Sequence, residues 1–386
     1  MTGEVDGGEP IDGRTTDSRT TDGVRARPTA SAAGDSPVRG VMLALGCRPG
    51  WVAVGTIAAA AALAAVLGVA PAVPAWVRYA PLAVSVLVLG LPHGAVDHLA
   101  PARTVGRPPT PRWLLAVGGT YLALGVAYAA LWALAPVASA ALFIALTWLH
   151  WGQGDLYALD AVGSRHLDGA GVRLGTVLVR GGLPMLVPLL RFPERYRQVV
   201  DAWVGLFGGE AGVAWLLSTQ VRSGLAAAFA TVTVVTLLAG WRRASAGDDS
   251  DAGGRAGWRR DAAETLLLWA YFLLVPPLFA VGVYFCAWHS LRHVARLVEV
   301  DPRARRRAAD GEYLGALARV GRDALPLTLV SLAMLAGVAV VVGVATAPAT
   351  LAALYLVFIA VLTLPHVAVV AWMDRAQGAG LAGPPT

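Results

Sequence analysis

Long apolar runs alternate with short stretches rich in Gly, Pro, Asp and Arg along most of this chain. The runs fall at about 51–70, 79–100, 113–135, 137–158, 173–190, 223–241, 324–346 and 350–373. Each is near the ~20 residues that a helix needs to cross ~30 Å of hydrocarbon. Only helices and closed barrels satisfy their backbone in lipid, and unbroken runs are helical rather than alternating. The stretch 264–297 is too long for one straight crossing, and Pro276-Pro277 divides it into 262–276 and 278–297. Segment 200–217 is interrupted by Gly208, Gly209 and Glu210 and reads as interfacial or re-entrant. The expectation is an all-α, polytopic transmembrane bundle of about ten spans.

The ends differ in character. Residues 1–46 are rich in Gly, Asp, Thr, Ser and Arg with almost no apolar periodicity, which predicts a disordered cytoplasmic tail. They lack the basic start and apolar core of a signal peptide. A transmembrane domain over 47–376 and a short tail over 377–386 complete the expected organisation, with a flexible loop at 240–261.

Composition agrees with a lipid environment: 56% of residues are hydrophobic and 15% charged, too much apolar surface for a soluble domain to hide. All 31 basic residues are arginine. With no lysine, no side chain can form a Schiff base with an aldehyde, which excludes proteins that hold an aldehyde chromophore that way. The basic excess sits beside the spans, so it reads as an orientation signal and not as a nucleic-acid surface. With the N-terminus in the cytoplasm, the internal loops hold Arg103, Arg107 and Arg112, then Arg165 and Arg173, then Arg242 to Arg260, then Arg303 to Arg307. The loop 191–222, with Arg191, Arg195, Arg197 and Arg222, is the exception outside. Dividing 264–297 keeps the run after it inside and places both termini in the cytoplasm. Cys47 and Cys286 are the only cysteines, with no CxxC and no zinc-finger spacing.

Six of the seven histidines lie within or at the ends of spans: His93, His98, His150, His289, His293 and His366. His166 lies in a polar loop. Ionisable residues at membrane depth are costly and mark functional sites. Counted from the outer ends of their spans, His93, His150, His289, His293 and His366 lie roughly 16–24 Å deep at 1.5 Å per residue. A shared level in four helices is what a metal site in a bundle core requires. His289 and His293 are four apart, on one helix face, and can ligate one ion. Asp97 is four residues from His93, so it could accept the second ring N–H of His93 or of a neighbouring ligand. His98, five residues from His93, points elsewhere on a helix. His150 supplies one more ligand, with Asp155 nearby. Leu364-Pro365-His366 echoes Leu91-Pro92-His93, and His366 is open between ligand, hydrogen-bond donor and packed core residue.

Imidazole suits zinc, copper, iron and nickel. The surroundings are aromatic: Trp148, Trp151, Tyr284, Phe285 and Trp288 are candidates to line a site for a long apolar substrate arriving from the bilayer.

The segments LPHGAVDH, HWGQGD, YFCAWHSLRH and LPHVAVVAWMD, in this order and separation, resemble the signatures of the Brp/Blh family of membrane-bound β-carotene 15,15′-dioxygenases. The likeness covers about residues 79–374. It implies cleavage of β-carotene at its central double bond into two retinal molecules, with Fe(II) as cofactor and O2 as co-substrate. It also implies that His93, His150, His289 and His293 are the iron ligands, and that the product supplies a rhodopsin. Three alternatives compete: a di-iron hydroxylase or desaturase, which needs more histidine boxes than the single HxxxH present; a b-type haem carrier; and a transporter or channel with coupling histidines.

Overall fold

The first helix starts earlier than hydropathy suggests. In the computed structural model, which describes residues 37–69, 74–246, 252–343 and 347–381, helix α1 spans Pro37–Val66. Val41, Met42 and Cys47 in its first turns are buried. Part of the expected N-terminal tail therefore belongs to the bundle, because this short apolar stretch packs against Ala295 and Val298. Residues 1–36 lie outside the described residues.

The rest of the described chain is helical, with no strand among those residues. After α1 come α2 (Ala75–Gly94), the short α3 (Ala100–Thr104), α4 (Pro111–Leu134), α5 (Pro136–Ala161) and α6 (Ala170–Arg191). Then follow α7 (Pro193–Gly205), α8 (Thr219–Ser245), α9 (Ala252–Leu274) and α10 (277–300). The chain closes with α11 (Pro302–Ala309), α12 (Tyr313–Val342) and α13 (Pro348–Gln377). The Pro276-Pro277 break is present: α9 ends at Leu274 and α10 starts at Pro277. The expected loop at 240–261 is shorter, since α8 runs to Ser245 and α9 begins at Ala252. Segment 200–217 is the end of α7 followed by a single tight helical turn at Ala214–Leu217.

Among the described residues, seven helices are long and apolar enough to cross a membrane: α1, α2, α4, α6, α8, α12 and α13. This is fewer than the ten expected. The other three predicted spans are helices too, α5, α9 and α10. They carry charge along the helix: Asp155 and Asp160 on α5, Asp261 and Glu264 on α9, Arg292 and Arg296 on α10.

Helices α5 and α6 set the centre of the bundle. Gly152 of α5 abuts the Val177 carbonyl of α6, and Gly181 of α6 abuts the Trp148 carbonyl of α5. A Cβ at either place would overlap backbone, so glycine is what lets the two helices approach this closely. His150 lies between the two crossing points. Trp148 closes the same contact by donating from Nε1 to the Leu178 carbonyl at 2.9 Å. Burial grades outward: 72% of the most apolar stretch of α6 is buried against 6% of that of α12. Helix α12 therefore presents Leu325, Leu329, Val330 and Met334 outward as a lipid-facing surface.

Candidate metal centre

Five imidazoles from four helices gather in the bundle. His93 comes from the end of α2, His150 from the middle of α5, His289 and His293 from α10, and His366 from α13. All five are buried. Ring centroids of His93 lie 5.8, 5.5 and 5.1 Å from those of His289, His293 and His366. His150 is 4.9 Å from both His289 and His366, and His293 is 5.2 Å from His366.

Local backbone brings them there. A wide π-type turn at Ser85–Leu89 precedes His93, and another at Tyr284–Ser290 contains His289. Such turns insert extra backbone into a helix and re-aim the side chains around them, and they recur at functional sites. The Nδ1 of His93 pairs with the Leu89 carbonyl at 3.1 Å, which fixes that ring.

The nitrogens matter as much as the rings. The Nε2 atoms of His150, His289, His293 and His366 are buried and without a hydrogen-bond partner, and so is Nδ1 of His150. Buried polar atoms left this way are uncommon and costly, about 1–3 kcal/mol each. Rings bound end-on to one ion at about 2.1 Å would stand roughly 4.6–6.5 Å apart between centroids, for ligand angles of 90° to 180°. The observed separations of 4.9–5.8 Å fall in that range. Among the described residues, no group of three or more His, Cys, Asp or Glu side chains is arranged to hold a metal ion as it stands; the rings are near neighbours without converging on one point. The donor set is all imidazole, and four of the five rings keep a buried Nε2 with no hydrogen-bond partner, which fits a transition metal.

The structure redistributes the carboxylates. Helix α2 ends at Gly94 and residues 95–99 form a turn, so Asp97 does not share a helix face with His93. It instead accepts a hydrogen bond from Nδ1 of His366 at 2.7 Å and one from the Tyr121 hydroxyl at 2.6 Å, both on Oδ2. His98, on the same turn, pairs through Nδ1 with the Ala95 carbonyl at 2.9 Å and lines the same cavity as His93, His150, His289 and His366. Asp155 is committed elsewhere. It bridges Arg292 at 2.9 Å and Arg180 at 3.4 Å, and accepts from Nε1 of Trp288 at 3.1 Å. With its oxygens held by two guanidinium groups, Asp155 is not placed as a ligand.

Those arginines belong to a buried ionic network. Arg180 also reaches Asp261 at 2.7 Å and Glu264 at 2.9 Å. Arg292 reaches Glu264 at 2.9 Å. Trp51 donates to Glu264 at 2.6 Å, and His166 pairs with Asp261 at 3.0 Å. The network pins α1, α5, α6, α9 and α10 together. His166, expected in a solvated loop, is almost fully buried as part of it.

A cavity of about 830 Å³ opens beside the cluster, with His93, His150, His289 and His366 in its wall. His293 completes the cluster away from the cavity. Of the aromatic candidates for a substrate site, Trp151 and Phe285 line this cavity. They stack on one another at 5.7 Å, next to His289. Trp148, Tyr284 and Trp288 do not line it. Trp148 is held against α6, Trp288 is tied to Asp155 and Arg292, and Tyr284 packs between Trp151, Phe272 and Trp288. The remaining wall is largely aliphatic, including Pro184, Met185, Val281 and Leu356, and part of it reaches the lipid-facing Leu122, Val330 and Met334.

Residues 84–374 match the beta-carotene 15,15′-dioxygenase family model. The chain belongs to that family. It is 54% identical over 333 residues to the probable beta-carotene 15,15′-dioxygenase Blh of Halobacterium salinarum, covering 85% of this chain and 92% of that one. It is 32% identical over 371 residues to the probable beta-carotene 15,15′-dioxygenase Brp of the same organism, covering 90% and 94%. No solved structure matches. Membership in this dioxygenase family sets aside the di-iron, haem and transporter alternatives. The structure, in turn, brings forward residues that a reading centred on histidine passes over. Tyr121, Arg180, Asp261, Glu264 and Arg292 are polar or charged groups within apolar helices, and the same cost of burial that singles out the histidines marks them too.

Proposed function

We propose that this protein cleaves β-carotene at its central double bond to give two retinal molecules, using iron held by His93, His150, His289 and His293 and O2 as co-substrate. The observation that carries the reading is the cluster of buried imidazoles, four of them with an unpartnered Nε2, beside a large apolar cavity. A bound Fe(II) would supply the activation of O2 that splitting an alkene needs, which imidazole alone does not provide. The chain's own groups do the rest. Neutral imidazoles at membrane depth hold the ion without cancelling its charge. The aliphatic wall excludes water and takes a hydrocarbon directly from the bilayer. Trp151 and Phe285 offer flat faces for a conjugated polyene beside His289. Because a polyene looks nearly alike along its length, the walls must fix which bond stands at the metal.

The same reading places the chain in the cell membrane with ten crossings, the seven apolar helices together with α5, α9 and α10. The arginine-rich loops other than 191–222, and both termini, then face the cytoplasm. The product would pass to a rhodopsin, which binds retinal through the lysine that this chain lacks. The test is expression in cells that accumulate β-carotene. Bleaching of the orange colour with formation of retinal is expected. Persistent colour in cells with verified membrane expression contradicts the reading.

A further inference from the structure

The four-histidine reading leaves one ring unexplained. His366 is buried, and its centroid lies 4.9, 5.1 and 5.2 Å from those of His150, His93 and His293. It therefore contacts three of the four proposed ligands. A histidine that only filled space in the core would bury a ring whose nitrogens are both satisfied by the protein. Here one is satisfied and the other is not: Nδ1 donates to Asp97 at 2.7 Å, and Nε2 is buried with no partner.

That asymmetry is informative. With the ring proton on Nδ1 and engaged by a carboxylate, the lone pair of the neutral ring lies on Nε2. Metal-binding histidines have this arrangement: the other ring nitrogen donates to a carboxylate or carbonyl, which sets tautomer and orientation and raises donor strength. His93 has the carbonyl version, through Leu89. His366 has the carboxylate version, and Asp97 is itself held by the Tyr121 hydroxyl at 2.6 Å. The repeated Leu-Pro-His tripeptide thus delivers one oriented imidazole at each occurrence.

We propose that His366 is a fifth imidazole ligand to the iron, oriented by Asp97 and, through Asp97, by Tyr121. This rests on the reading of the cluster as an iron site. A six-coordinate ion held by five imidazoles keeps one open position where four would leave two. The carboxylate behind His366 also places negative charge one hydrogen bond from a ligand, which favours the more oxidised ion. Asp97 and Tyr121 are positioning residues here, since they act through His366.

The experiment compares purified full-length wild type, His366→Ala, Asp97→Asn, Tyr121→Phe and His293→Ala, each verified as folded by size-exclusion elution. Fe(II) affinity is measured by competition with a chelator, and nitrogen ligand number by X-ray absorption at the iron edge. Asp97→Asn keeps size and shape and should weaken iron binding about 10–100-fold, with Tyr121→Phe weaker in effect. His366→Ala should lose one nitrogen ligand, and added imidazole should restore it. Unchanged affinity and ligand number in both His366→Ala and Asp97→Asn overturn the fifth ligand while leaving the four-histidine site standing. Unchanged iron binding in His293→Ala, or a wild type that binds no iron, overturns the site itself and this proposal with it.

Discussion

Replacing His150 with alanine should reduce retinal formation by more than about 100-fold, beyond the 10–100-fold range seen for groups that only support a metal ligand. It should also lower iron content. The protein should nevertheless fold normally. Both ring nitrogens of His150 are buried without partners, so the wild-type ring contributes no hydrogen bond whose loss would destabilise the bundle. Removing an unsatisfied buried polar group relieves a desolvation cost of about 1–3 kcal/mol, which offsets part of the packing lost with the ring. The checks are retinal yield by chromatography, iron per protein by elemental analysis, and thermal unfolding of the metal-free protein in detergent. A metal-free midpoint close to wild type with activity and iron both lost is the expected combination. Near-normal retinal formation would break the ligand assignment.

Substituting Arg180 with methionine should produce the opposite pattern, a large loss of stability. Arg180 is fully buried and holds Asp155, Asp261 and Glu264, from α5 and α9, against α6. Methionine fills similar volume but leaves those three carboxylates with Arg292, Trp51, Trp288, His166 and Thr265 as partners, of which Arg292 alone is a guanidinium. Breaking a buried ion pair by removing one partner costs about 3–5 kcal/mol, because the remaining charge stays desolvated and uncompensated. The measurement is the thermal midpoint by fluorescence-detected size exclusion, together with the fraction of expressed protein recovered as a monodisperse peak. A midpoint equal to wild type would mean that the network does not hold these helices together. Iron affinity in whatever fraction folds should stay closer to wild type than in His150→Ala, since Arg180 does not touch an imidazole of the cluster.

What the sequence could and could not say follows from the range of the forces involved. Helix length and hydropathy are local, so the helices and the break at Pro276-Pro277 were readable. The clustering of five of the seven histidines was readable as well, because lipid makes each buried imidazole expensive and depth can be counted along a helix. Pairings between distant segments were not. The spacing left Asp97 open between His93 and a neighbouring ring; it pairs with His366, because α2 ends at Gly94 and the following turn redirects the carboxylate. The aromatic residues near the histidines divide in a way that spacing alone does not reveal. Trp151 and Phe285 face the cavity, whereas Trp148, Tyr284 and Trp288 are consumed by helix packing and by Asp155. His166 looked solvated because its neighbours are polar, but Asp261, 95 positions away, draws it into the interior. The start of α1 was hidden for a similar reason: its apolar stretch at 41–47 is short, sits between Arg39 and Arg48, and is stabilised by the surface of α10.

The most direct measurement is the ratio of retinal formed to β-carotene consumed by the purified protein, before iron removal, after it, and after Fe(II) is restored. About two molecules of retinal should appear for each β-carotene in the iron-loaded protein, almost none after chelation, and the full yield on adding Fe(II) but not Zn(II), which has no redox chemistry. Cleavage products of unequal length, or an undiminished yield from protein shown to be free of iron, would contradict it.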